Sequence, residues 1–177
     1  MRAPAIVCAF VGVLALIASG CGRSSETTDA GNDHLQPGAV SIEVVDISDC
    51  KDAPTGIPRV SAPRDQDCVE YWYVGGTVLH LNHINAAFNC CPVVDADVRV
   101  EGDTITVEEI EVEGHCMCLC LFDVGYEIQN LSPGVYHLQF IEPYRPQSDP
   151  VLECTLDLVS SPSGRHCVTR SQYPWGF

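Results

Sequence analysis

The twenty residues LFDVGYEIQNLSPGVYHLQF, Leu121 to Phe140, decide the fold. Phe122, Val124, Tyr126 and Ile128 share one parity, while Asp123, Gly125, Glu127 and Gln129 take the other. A β-strand sends successive side chains to opposite faces, so this segment is a strand with one face turned to a core. Asn130-Leu131-Ser132-Pro133-Gly134 breaks the pattern with turn-forming residues. The alternation then resumes, with Tyr136, Leu138 and Phe140 inward and His137 outward as an ordinary surface residue.

The same period extends in both directions. Val40 to Ile47 reads as a first strand, its apolar phase slipping at Val44-Val45 as at a bulge. Tyr71 to Ile84 is a long aromatic-rich strand or a pair of strands bent at Gly75-Gly76. Ala96, Val98 and Val100 alternate with Asp97, Arg99 and Glu101, Gly102-Asp103 makes a tight hairpin, and Ile105 and Val107 return. A second slip at Glu108-Glu109 is expected to turn Ile110 and Val112 inward as another bulge. Leu152, Cys154, Leu156 and Leu158 form one face of a strand, SSPSGR turns the chain, and Cys167 lies on the way back. No apolar stripe of helical period is long enough for a major helix.

Leu131-x-Pro133-Gly134-x-Tyr136 resembles the corner between the fifth and sixth strands of immunoglobulin-like and fibronectin type III-like sandwiches. In that family the tyrosine hydroxyl bonds back to the backbone of the corner. The resemblance spans about twenty residues and implies a single all-β Greek-key sandwich over residues 39–177. It implies no function, because many unrelated functions use this architecture.

The chain has eleven cysteines. MRAPAIVCAFVGVLALIASGC opens it with one cation, Arg2, and an apolar run too short for a bilayer span, as in an export signal over residues 1–20. Ala18-Ser19-Gly20-Cys21 resembles the lipobox of bacterial lipoproteins, although Ala18 stands where Leu is usual. The resemblance implies cleavage before Cys21 and its acylation, with Cys8 lost. Gly22, in place of Asp, implies the outer rather than the inner membrane of the cell envelope. Residues 21–38 then read as a polar, disordered tether that includes His34. Export places the remaining sulfurs in an oxidising compartment, where disulfides are their ordinary fate.

Nine cysteines remain: Cys50, Cys68, Cys90, Cys91, Cys116, Cys118, Cys120, Cys154 and Cys167. Cys50 and Cys68 flank the proline-rich, aperiodic loop KDAPTGIPRVSAPRDQD and are expected to pin it; Cys154 and Cys167 suggest a cross-strand bridge. In HCMCLC, extended geometry would align Cys116, Cys118 and Cys120 with Phe122 and Val124 on the core face, there to bridge Cys90-Cys91. The odd number leaves at least one sulfur over. The alternative is a soft-metal site for Cu(I) or Zn(II), built from Cys116, Cys118 and Cys120 with Cys90 or Cys91, in which His115, His80 or His83 could replace a sulfur. Met117 points away from it.

Removal of Arg2 with the leader changes the formal charge of −15 to −16. That acidity, with Lys51 the single lysine, excludes nucleic acid as a partner. Catalytic signatures are missing: there is no Gly-x-Ser-x-Gly, no His-Glu-x-x-His, no phosphate loop and no Cys-x-x-Cys. Asp95-x-Asp97 begins like a calcium loop but meets Arg99 at the next ligand position. Tyr71, Trp72 and Tyr73, with Trp175 and Phe177, are the aromatic clusters, suited to a core or, where exposed, to recognition. The sequence thus reads as a lipid-anchored, disulfide-stabilised, non-catalytic binding or structural module with a possible protein partner in the envelope. Its alternative is a soft-metal-binding lipoprotein.

Overall fold

A computed structural model describes residues 38–51, 62–113 and 116–175. The leader, Cys21, the tether to residue 37, residues 52–61 of the long loop, His115 and Phe177 lie outside the described residues. Nine strands are described and no helix: β1 (Ser41–Ile47), β2 (Gln66–Val74), β3 (Val78–Asn89), β4 (Val93–Glu101), β5 (Thr104–Glu113), β6 (Leu119–Gln129), β7 (Val135–Ile141), β8 (Glu153–Asp157) and β9 (Ser163–Thr169). They form a five-stranded sheet in the order β1-β6-β3-β2-β9 and a four-stranded sheet in the order β4-β5-β7-β8. All pairs are antiparallel except β5 with β7.

Apolar parity explains the core. Cys120, Phe122, Val124, Tyr126 and Ile128 of β6 meet Leu79, Leu81, Ala86 and Phe88 of β3 within one buried cluster. Ala96, Ile105, Val107, Leu138, Phe140 and Leu156 enter the same cluster from the four-stranded sheet, so the two sheets share one sandwich core. The β1 slip is a bulge, with pairing to β6 shifting between Val44 and Asp46. Gly75-Gly76, both at positive φ, turns β2 into β3, and Gly102 turns β4 into β5.

The Leu131–Tyr136 segment is a corner that carries the chain from one sheet to the other, since β6 and β7 lie in different sheets. Tyr136 Oη donates to Ser132 O at 2.9 Å, the backbone bond expected of such a corner. A Cβ on Gly134 would stand 3.2 Å from the tyrosine ring, tighter than ordinary contact.

Three expectations need correction. The slip at Glu108-Glu109 is absent: β5 keeps its register with β4 there, so Glu109 takes the core parity after Ile105 and Val107, and Val112 is exposed. Cys116 and Cys118 are not part of a core row, because β6 begins at Leu119 and both precede it at exposed positions. The outer disulfide pairs are also exchanged: Cys50 bonds Cys120, and Cys68 bonds Cys167. After β1 the chain continues along β6, with Lys51 N donating to Leu121 O at 3.0 Å, which sets Cys50 beside Cys120. The turn after β8 crosses the sandwich, so β9 pairs with β2, and Cys167 stands opposite Cys68 instead of near Cys154.

Candidate functional site

The remaining sulfurs lie at one end of the sandwich. Cys90 bonds Cys118 and Cys91 bonds Cys116, which joins the β3–β4 connection to the β5–β6 connection twice. This is the expected link between Cys90-Cys91 and HCMCLC, made outside the core. Cys120 is fully buried and belongs to the bridge with Cys50. In this oxidised chain none of the five cysteines of the soft-metal alternative is a thiolate able to ligate a metal. Cys154 is the free cysteine among the described residues. It is half-buried on β8, and burial pushes its thiol up to about 11, which keeps it protonated at neutral pH.

The feature that sequence reasoning missed is a chain of ionisable groups inside the core. His83 of β3 follows Leu79 and Leu81 in parity and is wholly buried. Its Nδ1 lies 2.5 Å from Glu109 Oε1 and its Nε2 2.6 Å from Asp67 Oδ1. Tyr126 Oη donates to the same Glu109 oxygen at 2.7 Å. Arg170 donates from Nε and Nη2 to Asp67 Oδ2 at 2.8 and 2.5 Å, and from Nη2 to Glu142 Oε2 at 2.6 Å. It also bonds Pro150 O and stacks over Trp175, 5.3 Å from the ring centroid.

The electrostatics close this chain. Burial disfavours a charged imidazole, but the carboxylates of Glu109 and Asp67 overcome it and hold His83 protonated well above its ordinary range. Burial alone would raise Asp67; the charges of His83 and Arg170 reverse this and hold it below the usual carboxylate range. Burial, reinforced by the Asp67 charge, pushes Glu142 up to about 8, so at neutral pH it keeps its proton. Burial and the Glu109 charge raise Tyr126 in the same way. His83 is thus paired on one side with Glu109 and on the other with Asp67, which Arg170 also binds. Glu142 Oε1 is buried without a hydrogen-bond partner, which suits a neutral carboxyl, because an orphaned charge would cost far more. Asp67, His83 and Glu142 each offer a ligand atom within 4.8 Å of the others. Both ring nitrogens of His83 are taken up by Glu109 and Asp67, and Arg170 binds Asp67 and Glu142, so the cluster is an ion-pair network closed on itself.

A pH dependence follows. Glu142 carries its proton in the folded state up to about 8 against 4.5 as its ordinary value, so its contribution is complete below 4.5 and is lost as pH rises to 8. His83, also raised, contributes fully below 6.5 and loses its contribution as pH rises through its folded value. Asp67, held low, acts in the opposite sense below 3.8. Urea midpoints should therefore fall between pH 5 and pH 9, with a limiting slope of about 1.4 kcal/mol per pH unit for each proton released. Glu142→Gln should flatten the part below pH 8. An unchanged profile in that variant would remove Glu142 as the titrating group.

The accessible chemistry is on the outer face of the five-stranded sheet. One end is covered, where Trp175 packs on Ala87 and Leu121 and donates Nε1–H to Asn85 O at 2.8 Å. The other end carries a cleft of about 360 Å³. Trp72 is 43% exposed and stacks on His80, with ring centroids 5.0 Å apart. His80 Nδ1 lies 3.3 Å from Glu127 Oε1. Asn82, Asp46, Ser48 and Asp123 complete the polar lining. Tyr71 and Tyr73 point the other way, against the core. No known protein family, no curated protein and no solved structure matches the chain.

Proposed function

We propose that the chain is a non-catalytic binding module of the cell envelope, anchored through acylated Cys21 to the outer membrane, whose recognition surface is the cleft beside Trp72. The carrying observation is the exposed Trp72–His80 stack set among polar and acidic side chains on a sheet face. The sealed ion network, the disulfides and the protonated Cys154 favour recognition over catalysis. The net charge of −15 and Asp46 in the cleft lining favour a cationic segment of a partner protein, drawn in by charge and held against the indole. The immunoglobulin-like Greek-key reading is kept for the tyrosine corner, where geometry supports it; the parallel β5–β7 pair sets the strand order apart.

Calorimetric titration of the mature protein with an oligolysine peptide tests the reading. Saturable binding that weakens with salt, and about three- to fivefold in Trp72→Ala, is expected. Equal affinity of Trp72→Ala and parent would exclude the cleft.

A further inference from the structure

The sulfur spacing in this sequence matches no familiar metal motif, yet the fold supplies what the spacing lacks. Cys90 and Cys91 sit in the connection between Asn89 and Val93, and Cys116 and Cys118 in the one between Glu113 and Leu119. All four belong to the two linked connections, and the bonded partners have Cα atoms 5.6 and 5.9 Å apart.

These positions are held by more than the sulfur bonds. Asn89 pairs with Leu119 at the end of the β3–β6 ladder, and Val93 with Glu113 at the end of the β4–β5 ladder. Cys90 N donates to Cys118 O at 3.0 Å, and Cys91 N to Asn89 Oδ1 at 3.0 Å. The buried Asn89 is in turn fixed to Glu111, donating to its carboxylate from both backbone and side chain. Breaking both S–S bonds therefore leaves the four cysteines on two connections that backbone pairing still holds together. Exposure selects these bonds for reduction: Cys91, Cys116 and Cys118 are exposed, whereas Cys68 and Cys120 of the other two bridges are fully buried.

We infer that Cys90, Cys91, Cys116 and Cys118 form a redox-gated zinc(II) site, closed as two disulfides and opened by an external dithiol reductant. Each disulfide takes two electrons and two protons from one dithiol, which leaves as a disulfide. The four thiols then bind the ion and release up to four protons as thiolates. A tetrahedral four-thiolate site has zinc–sulfur bonds of about 2.3 Å. That spreads each former pair from bonded contact to about 3.8 Å, a movement within reach of side-chain rotation. Cys120, locked to Cys50 in the core, takes no part.

The experiment uses the mature protein, treated with a dithiol under native conditions, freed of reductant without air, and titrated with cobalt(II) and then zinc(II). Thiol counting in denaturant should rise from one to five, the four opened sulfurs plus Cys154. Cobalt(II) should bind in one equivalent with the intense visible bands of tetrahedral thiolate coordination, and zinc(II) should displace it. Zinc(II) should also protect Cys90, Cys91, Cys116 and Cys118 from alkylation, as mapped by peptide mass spectrometry. The pairwise variants Cys90→Ser/Cys118→Ser and Cys91→Ser/Cys116→Ser should each lose the cobalt bands by at least tenfold while keeping the β-sheet circular dichroism. The inference fails if the reduced protein binds no cobalt, if the bands persist in both variants, or if opening these two bonds unfolds the sheets. Its failure leaves the Trp72 cleft untouched, because that site contains no sulfur.

Discussion

Replacing Arg170 with methionine is expected to destabilise the domain by about 3–5 kcal/mol, measured as a fall in the urea midpoint at pH 7 with all disulfides intact. Methionine keeps much of the length and apolar volume of the arginine but removes the guanidinium that holds Asp67 and Glu142. Asp67 would be left buried, sharing the single imidazolium of His83 with Glu109. Removing one member of a buried pair is costly because the survivor cannot return to water. The contact with Trp175 and the bond to Pro150 O go at the same time. Glu142→Gln is the matched control: it keeps the neutral side chain that Arg170 meets at pH 7 and removes the cost of taking up a proton on folding, so a midpoint equal to or above that of the parent is expected. A loss below 1 kcal/mol for Arg170→Met would show that the network does not hold the core together.

The second large effect concerns the bridge between β2 and β9. Cys68→Ala/Cys167→Ala is expected to cost about 4 kcal/mol, because this bond spans 99 residues and, among the described residues, no other bridge ties the C-terminal strand to the rest. Cys90→Ala/Cys118→Ala should cost under about 1 kcal/mol, since Cys91–Cys116 runs beside it, closes nearly the same loop and keeps the unfolded chain almost as constrained. Guanidinium unfolding of both variants checks the ranking. Equal losses would mean that local strain, not loop closure, governs these bonds.

Strands, hairpins and the tyrosine corner were legible because each rests on local chemistry: the parity of Phe122 to Ile128, the Gly102-Asp103 turn and the spacing from Pro133 to Tyr136. Disulfide partners were not legible where they depend on which sheet a strand joins. Nothing in SSPSGR says that the chain crosses the sandwich before Cys167. The ion network was half visible. His83 and Glu109 both stand at core parity in their strands, and treating parity as stronger than polarity would have placed both inside. Assuming a bulge at Glu108-Glu109 spared the reading a buried acid and so concealed it. Arg170 gave no local sign, because its partner Asp67 is 103 residues away. The Trp72 cleft needed the register of β2 on β3, which sets Trp72 opposite His80.

The ninth sulfur bears on how the chain reaches its oxidised form. Eight cysteines alone admit 105 pairings, and a ninth multiplies the wrong ones. Exchange proceeds through thiolate attack, and at a value near 11 Cys154 is a thiolate in only about one molecule in ten thousand at pH 7. Half-buried on β8, which pairs with β7, the spare thiol is therefore a poor competitor in exchange. The fold thus guards its own disulfide pattern through the silence of one residue that takes part in none of its bonds.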